Sequence, residues 1–128
     1  PLMREDVLEL AAYGPEKGLR MVLATNGTLV TPQWVKDLKQ AGIKRVSISI
    51  DGATAKAHDT FRGIEGAFER TMVGIKALKT EGLEFQINTT ITKTNLKEIA
   101  AIQELAVELG AVAHHIFLLV PMGRAEHL

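Results

Sequence analysis

The chain has 128 residues, 46% of them hydrophobic and 23% charged, with 15 basic side chains balancing 15 acidic ones. That length and apolar content describe one folded domain with a real core, and the zero net charge gives no electrostatic footprint for nucleic acid or an anionic membrane. No cysteine is present, which excludes disulfides, zinc ribbons, cysteine nucleophiles and any iron–sulfur cluster held by these residues.

The first helix is expected from about Arg4 to Lys17. Gly14-Pro15 should kink it or end it early. Gly18 then closes the helix, and a strand follows over residues 20–25. Thr31-Pro32 starts the next helix as an N-cap followed by proline at the first helical position. Gly42 closes that helix and precedes a strand over residues 45–50. The gap from Gly42 to Gly82 is the longest between such glycines, which places an insertion at residues 52–66. Phe68, Met72, Ile75 and Leu78 fall on one helical face. After Gly82 comes a strand over residues 85–91. Asn95 and Glu98 form a capping-box-like pair ahead of Ile99, Ile102, Ala106 and Leu109 on one face. Gly110 and a strand over residues 114–120 end the pattern. Glycine just past a helix can adopt the left-handed conformation that closes the last turn. Strands alternating with helices of this length make βα units, a parallel sheet and sequential strand order. The longest apolar run, Ile116 to Val120, is too short to span a bilayer.

Ligands of parallel α/β folds bind at the C-terminal ends of the strands. Thr25-Asn26-Gly27, Asp51-Gly52, Thr89 to Thr92 and Pro121 to Arg124 lie there. In the second strand Ser47, Ser49 and Asp51 share one face, with Val46, Ile48 and Ile50 on the other. In the third, Gln86, Asn88 and Thr90 oppose Phe85, Ile87 and Ile91. Strands buried on both faces are nearly all apolar. A polar face on both strands suits a barrel interior that holds a polar ligand. Asn-Gly and Asp-Gly are also common turn pairs with no ligand at all. Neighbouring strand residues point to opposite faces, so His114 and His115 cannot chelate one metal and are read as packing residues.

The strings PLMR, VLATNGTL, VSISIDGATAKAHDTFRG and FLLVPMGRA, in this order, resemble the core of the radical S-adenosylmethionine superfamily. The likeness covers essentially the whole chain. It is nearest to the radical enzymes of heme biosynthesis, in the heme d1 and alternative-heme branch. The resemblance implies an α/β fold of four parallel βα units, residues 1–128, corresponding to strands three to six of an open (β/α)6 TIM-like barrel. It implies a cytoplasmic enzyme. A [4Fe-4S] cluster would cleave S-adenosylmethionine to a 5′-deoxyadenosyl radical that abstracts hydrogen from a tetrapyrrole side chain. Peptide-modifying and molybdopterin-forming relatives carry similar strings.

By the same likeness Ser49 would bind the ribose hydroxyls and Arg62 the cofactor's carboxylate. Asn88 would reach the methionine or ribose portion. Leu119 and Val120 would offer backbone groups to adenine. Thr25 and Asn26 would stand at the rim, and Asp51 would face ribose or substrate. Arg124 would pair a substrate propionate or close a loop. The family's CxxxCxxC and most of its GGEP motif are absent, Pro1 matching the last letter of the latter. The chain is therefore expected to be a fragment, inactive alone and without cluster ligands. An unpaired sheet edge leads us to expect self-association. A phosphate-binding barrel enzyme and a non-catalytic scaffold domain are the other classes the same pattern allows.

Overall fold

The computed structural model describes residues 1–123. In chain order it contains α1 (Val7–Glu16), β1 (Val22–Thr25), α2 (Pro32–Gln40), β2 (Arg45–Ser49), α3 (Ala55–Arg62), α4 (Ala67–Thr80), β3 (Phe85–Ile91), a short 3-10 turn (Leu96–Glu98), α5 (Ile99–Leu109) and β4 (His114–Leu118). The strands form one parallel sheet in the order β1-β2-β3-β4. Fold class and strand order agree with the sequence pattern, because each glycine-closed helix returns the chain beside the preceding strand.

The core lies on one face of the sheet. Val46, Ile48 and Ile50 of the β2 segment are fully buried, as is Ile87 of β3. Against them pack Val35 and Leu38 from α2, Ile75 and Leu78 from α4, and Ile102 from α5. Burying each such side chain contributes about 1.5–3 kcal/mol relative to exposure. The alternate residues Ser47, Ser49 and Asn88 are half-buried on the opposite face, away from these helix residues. The period of two in the sequence thus divides a greasy side from a polar one.

Three local features shape the site end. The expected insertion is α3, whose N-cap Thr54 accepts a hydrogen bond from the Ala57 N–H. Gly52 allows α3 to sit against the end of β2, since a Cβ there would come within 2.4 Å of the His58 nitrogen. Asp59 then accepts hydrogen bonds from the N–H groups of Gly66 and Phe68, at 2.6 and 2.8 Å. These bonds, that of Phe68 foremost, hold its carboxyl below the usual range and cap α4 from the preceding helix.

Two local expectations differ from what is found. Helix α1 runs through Gly14 and Pro15 to Glu16. Pro15 occupies the final turn, where its ring costs the one hydrogen bond that an N–H would have made to the Ala11 carbonyl and the helix ends one residue later. The pair works by packing: Met21 fills the space beside Gly14, and Pro15 lies against Gly42. Asn95 is also not a side-chain cap. Its side chain turns into the sheet end.

Candidate functional site

Asp51, just beyond β2, is fully buried and organises this end of the sheet. Its Oδ1 accepts from the Thr90 N–H at 2.7 Å. Its Oδ2 lies 2.5 Å from Arg62 Nη2, the ion pair being this oxygen's one polar contact among the described residues. The Asp51 N–H donates to His58 Nδ1 at 3.1 Å. The Asp51 carbonyl accepts from Asn95 Nδ2 at 3.0 Å. Asn95 donates also to the Thr90 carbonyl and accepts from the Thr92 N–H. The ends of β2 and β3, helix α3 and the segment leading into α5 are thereby tied into one polar knot.

His58 is 2% exposed. Burial pushes its pKa down, and the nearby Arg62 charge adds to that. A neutral ring is what the geometry needs, because Nδ1 must keep a lone pair to accept from Asp51. His58, Asp59 and Arg62 each have a structural partner, so the HDTFR string reads first as the lock on the inserted loop.

The sequence-derived residues separate into groups. Ser49 and Asn88 are register partners on the open face of β2 and β3. Asp51 follows the same parity but is enclosed by its partners. Arg62 stands over the end of β2, its side chain 32% exposed, with nitrogens left over from the Asp51 pair. Thr25 lies on the other face: it pairs with Ile48, is buried, and accepts from the Gly27 N–H. Asn26 is exposed, and its Oδ1 accepts from the backbone and hydroxyl of Thr28. The Asn26 carbonyl accepts from the Thr71 hydroxyl, pinning the turn to α4. The Leu119 N–H continues the sheet to the Ile91 carbonyl, and Val120 is exposed. Arg124 lies outside the described residues.

The two neighbouring histidines do face opposite ways. His114 is on the helix side, between the Thr89 hydroxyl at 2.8 Å and the Gln103 side chain at 2.7 Å. His115 is on the open side, 3.1 Å from Gln86 Nε2. Among the described residues no group of three or more His, Asp or Glu side chains could hold a metal. A cleft of about 600 Å³ opens between α3 and residues 92–98, walled by Ala57, Phe61, Thr92 and Asn95. Neither Ser49 nor Asn88 lines it. Sequence reasoning missed Gln86, His115 and the Asn95 cross-link. The polar parity of β3 was the available signal for Gln86, and the alternation of strand faces, which sets His115 opposite His114, was the signal for His115.

The family model of the radical SAM superfamily matches residues 1–106. The chain belongs to that superfamily. Among curated radical SAM relatives, the AdoMet-dependent heme synthase of Methanosarcina barkeri is 60% identical over 126 residues, covering 98% of this chain and 36% of the relative. The Fe-coproporphyrin III synthase of the same organism is 39% identical over 128 residues, covering 100% of this chain and 32% of the relative. The chain thus spans about a third of the length of these radical SAM proteins. Among solved structures, Streptococcus suis SuiB aligns with a TM-score of 0.77 at 16% identity, over 94% of this chain and 28% of its own. At that identity the likeness is one of fold. The superfamily uses S-adenosylmethionine and a [4Fe-4S] cluster. This chain has no cysteine, so it provides no thiolate for the cluster. Its open face carries the hydroxyl and amide groups that suit the ribose and amino-acid parts of S-adenosylmethionine.

Proposed function

We propose that these residues are the cofactor-facing part of a radical SAM enzyme that forms heme from a tetrapyrrole. The observation that carries the reading is the 60% identity to an AdoMet-dependent heme synthase, sustained across 98% of the chain. The four βα units would be strands three to six of an open (β/α)6 barrel. S-adenosylmethionine and its cluster, when bound, would supply the hydrogen-abstracting chemistry.

The chain's own residues would bind, orient and shield. Ser49, half-buried and without an internal hydrogen-bond partner among the described residues, offers its hydroxyl to the ribose. Asn88 lies beside it in register. Arg62 keeps spare guanidinium donors for the methionine carboxylate, where a charge-assisted pair is strong. Asp51 would act by holding Arg62, in place of the ribose contact its parity suggested. Thr25 and Asn26 would shape the rim through the turn pinned to α4, while Leu119 and Val120 would border adenine. Arg124 would face a substrate carboxylate. No helix of the described residues is long and apolar enough to cross a membrane. A cluster that must stay reduced suits the reducing cytoplasm.

The test is an anaerobic reaction of the full-length protein with reductant, S-adenosylmethionine and an iron tetrapyrrole bearing propionates. Heme detected by absorbance and mass supports the reading. Cofactor cleavage with the tetrapyrrole left unchanged, but a peptide modified, would replace it with the peptide-modifying alternative.

A further inference from the structure

The open face carries a residue that neither the family motifs nor the relatives assign. Parallel register sets Ser49 beside Asn88 and Asn88 beside His115. The three side chains form one row across β2, β3 and β4. Neighbouring strands lie about 4.8 Å apart, so the row is about 10 Å long.

Next to this row sits Gln86, 8% exposed. Its Nε2 is 3.0 Å from Asn88 Oδ1 and 3.1 Å from His115 Nδ1. A primary amide has two N–H bonds, and here each finds one neighbour. Asn88 commits its oxygen to Gln86, which leaves its Nδ2 hydrogens for a ligand. His115 commits Nδ1 as an acceptor, so its proton belongs on Nε2. Among the described residues Ser49, Asn88 Nδ2 and His115 Nε2 have no internal hydrogen-bond partner. Phe117, half exposed, stands edge-on to His115 with ring centroids 6.5 Å apart. It provides an apolar wall beside the polar row.

We infer that His115 is a ligand-binding residue of this face, donating its Nε2–H to an oxygen acceptor of the ligand in line with Ser49 and Asn88. Gln86 is the positioning residue that fixes the tautomer. The inference rests on the reading that this face takes S-adenosylmethionine and a tetrapyrrole. Both carry carboxylates, the shared chemistry His115 would meet, and both are tested separately.

Full-length protein carrying its cluster is titrated with S-adenosylmethionine by calorimetry and with an iron tetrapyrrole by absorbance. His115→Ala should weaken one of the two by about 3- to 10-fold, the loss of one hydrogen bond. The ligand affected identifies the source of the acceptor. His115→Gln, which keeps a donor near the Nε2 position, should restore most of the affinity. The 15N spectrum should show the His115 proton on Nε2. A proton on Nδ1 would mean that Gln86 presents its oxygen, and would overturn the donor assignment. Unchanged affinity for both ligands in His115→Ala would overturn the binding role. So would equal weakening of both with a lower melting temperature, the mark of a structural part. Failure of the unaltered protein to bind either ligand would instead overturn the underlying reading.

Discussion

Asp51 Oδ2 and Arg62 Nη2 meet at 2.5 Å, with Asp51 entirely out of solvent and Arg62 about a third exposed at 32%. The guanidinium is the only counter-charge this oxygen contacts among the described residues. Removing it strands a buried carboxylate. Arg62→Ala should lower stability by about 3 kcal/mol, the low end for breaking a buried pair because water still reaches Arg62. Urea unfolding measures this. A loss under about 0.5 kcal/mol, the scale of an ordinary surface change, would show that the pair is not the lock described above.

Asn95 joins the two strand ends with donors to the carbonyls of Asp51 and Thr90 and an acceptor for the Thr92 N–H. Asn95→Ala leaves those groups unmet in a site where Asn95 is 4% exposed. The expected cost is about 2–3 kcal/mol. Asn95→Asp should cost more, since a carboxylate would face two carbonyl oxygens. Thermal melts of the two variants should rank them in that order at neutral pH. The reverse order would disprove the donor role.

Much of this architecture is written locally. Gly42, Gly82 and Gly110 carry positive φ where helices had to close, and the alternation of Ser47, Ile48 and Ser49 divides the sheet faces. Such signals reside within a few residues of where they act. The polar knot is different. Asn95 reaches Asp51 across 44 residues, and nothing in either neighbourhood specifies that partner until the βα units have stacked. Thr25 shows the same limit from another direction. Its place in a Thr-Asn-Gly turn suggested the rim, while its strand parity with Leu23 sends it under the helices. His115 was readable as facing away from His114, but its link to Gln86 depended on the β3–β4 register.

Among the described residues strand β1 has a neighbour on one side only, and Val22 on it is 54% exposed. An open parallel edge presents unpaired backbone groups to another chain. Light scattering of this 128-residue chain should therefore show concentration-dependent association. Val22→Lys, a charge at the edge, should reduce it. Strict monomer behaviour at high concentration would remove the idea.

The two buried-side histidines give a pH signature. His58 and His114 both have pKa values pushed below the ordinary imidazole range, chiefly by burial. For His58 the neutral form is also required by the bond from the Asp51 N–H. In the unfolded chain both rings titrate near 6.5. As pH falls below that value the unfolded state takes up protons before the folded state does. Stability is complete above about pH 6.5 and declines as pH falls toward the folded-state pKa values. His58 can contribute a slope of up to about 1.4 kcal/mol per pH unit in that window. His114 is less buried and contributes less, because solvent screens its charge. Urea midpoints between pH 7.5 and 5 measure the slope. In His58→Asn the side-chain oxygen can accept from Asp51 in place of Nδ1, but it takes up no proton. That variant should flatten the profile while remaining folded. A profile as steep as that of the unaltered chain would mean that His58 is not the titrating group.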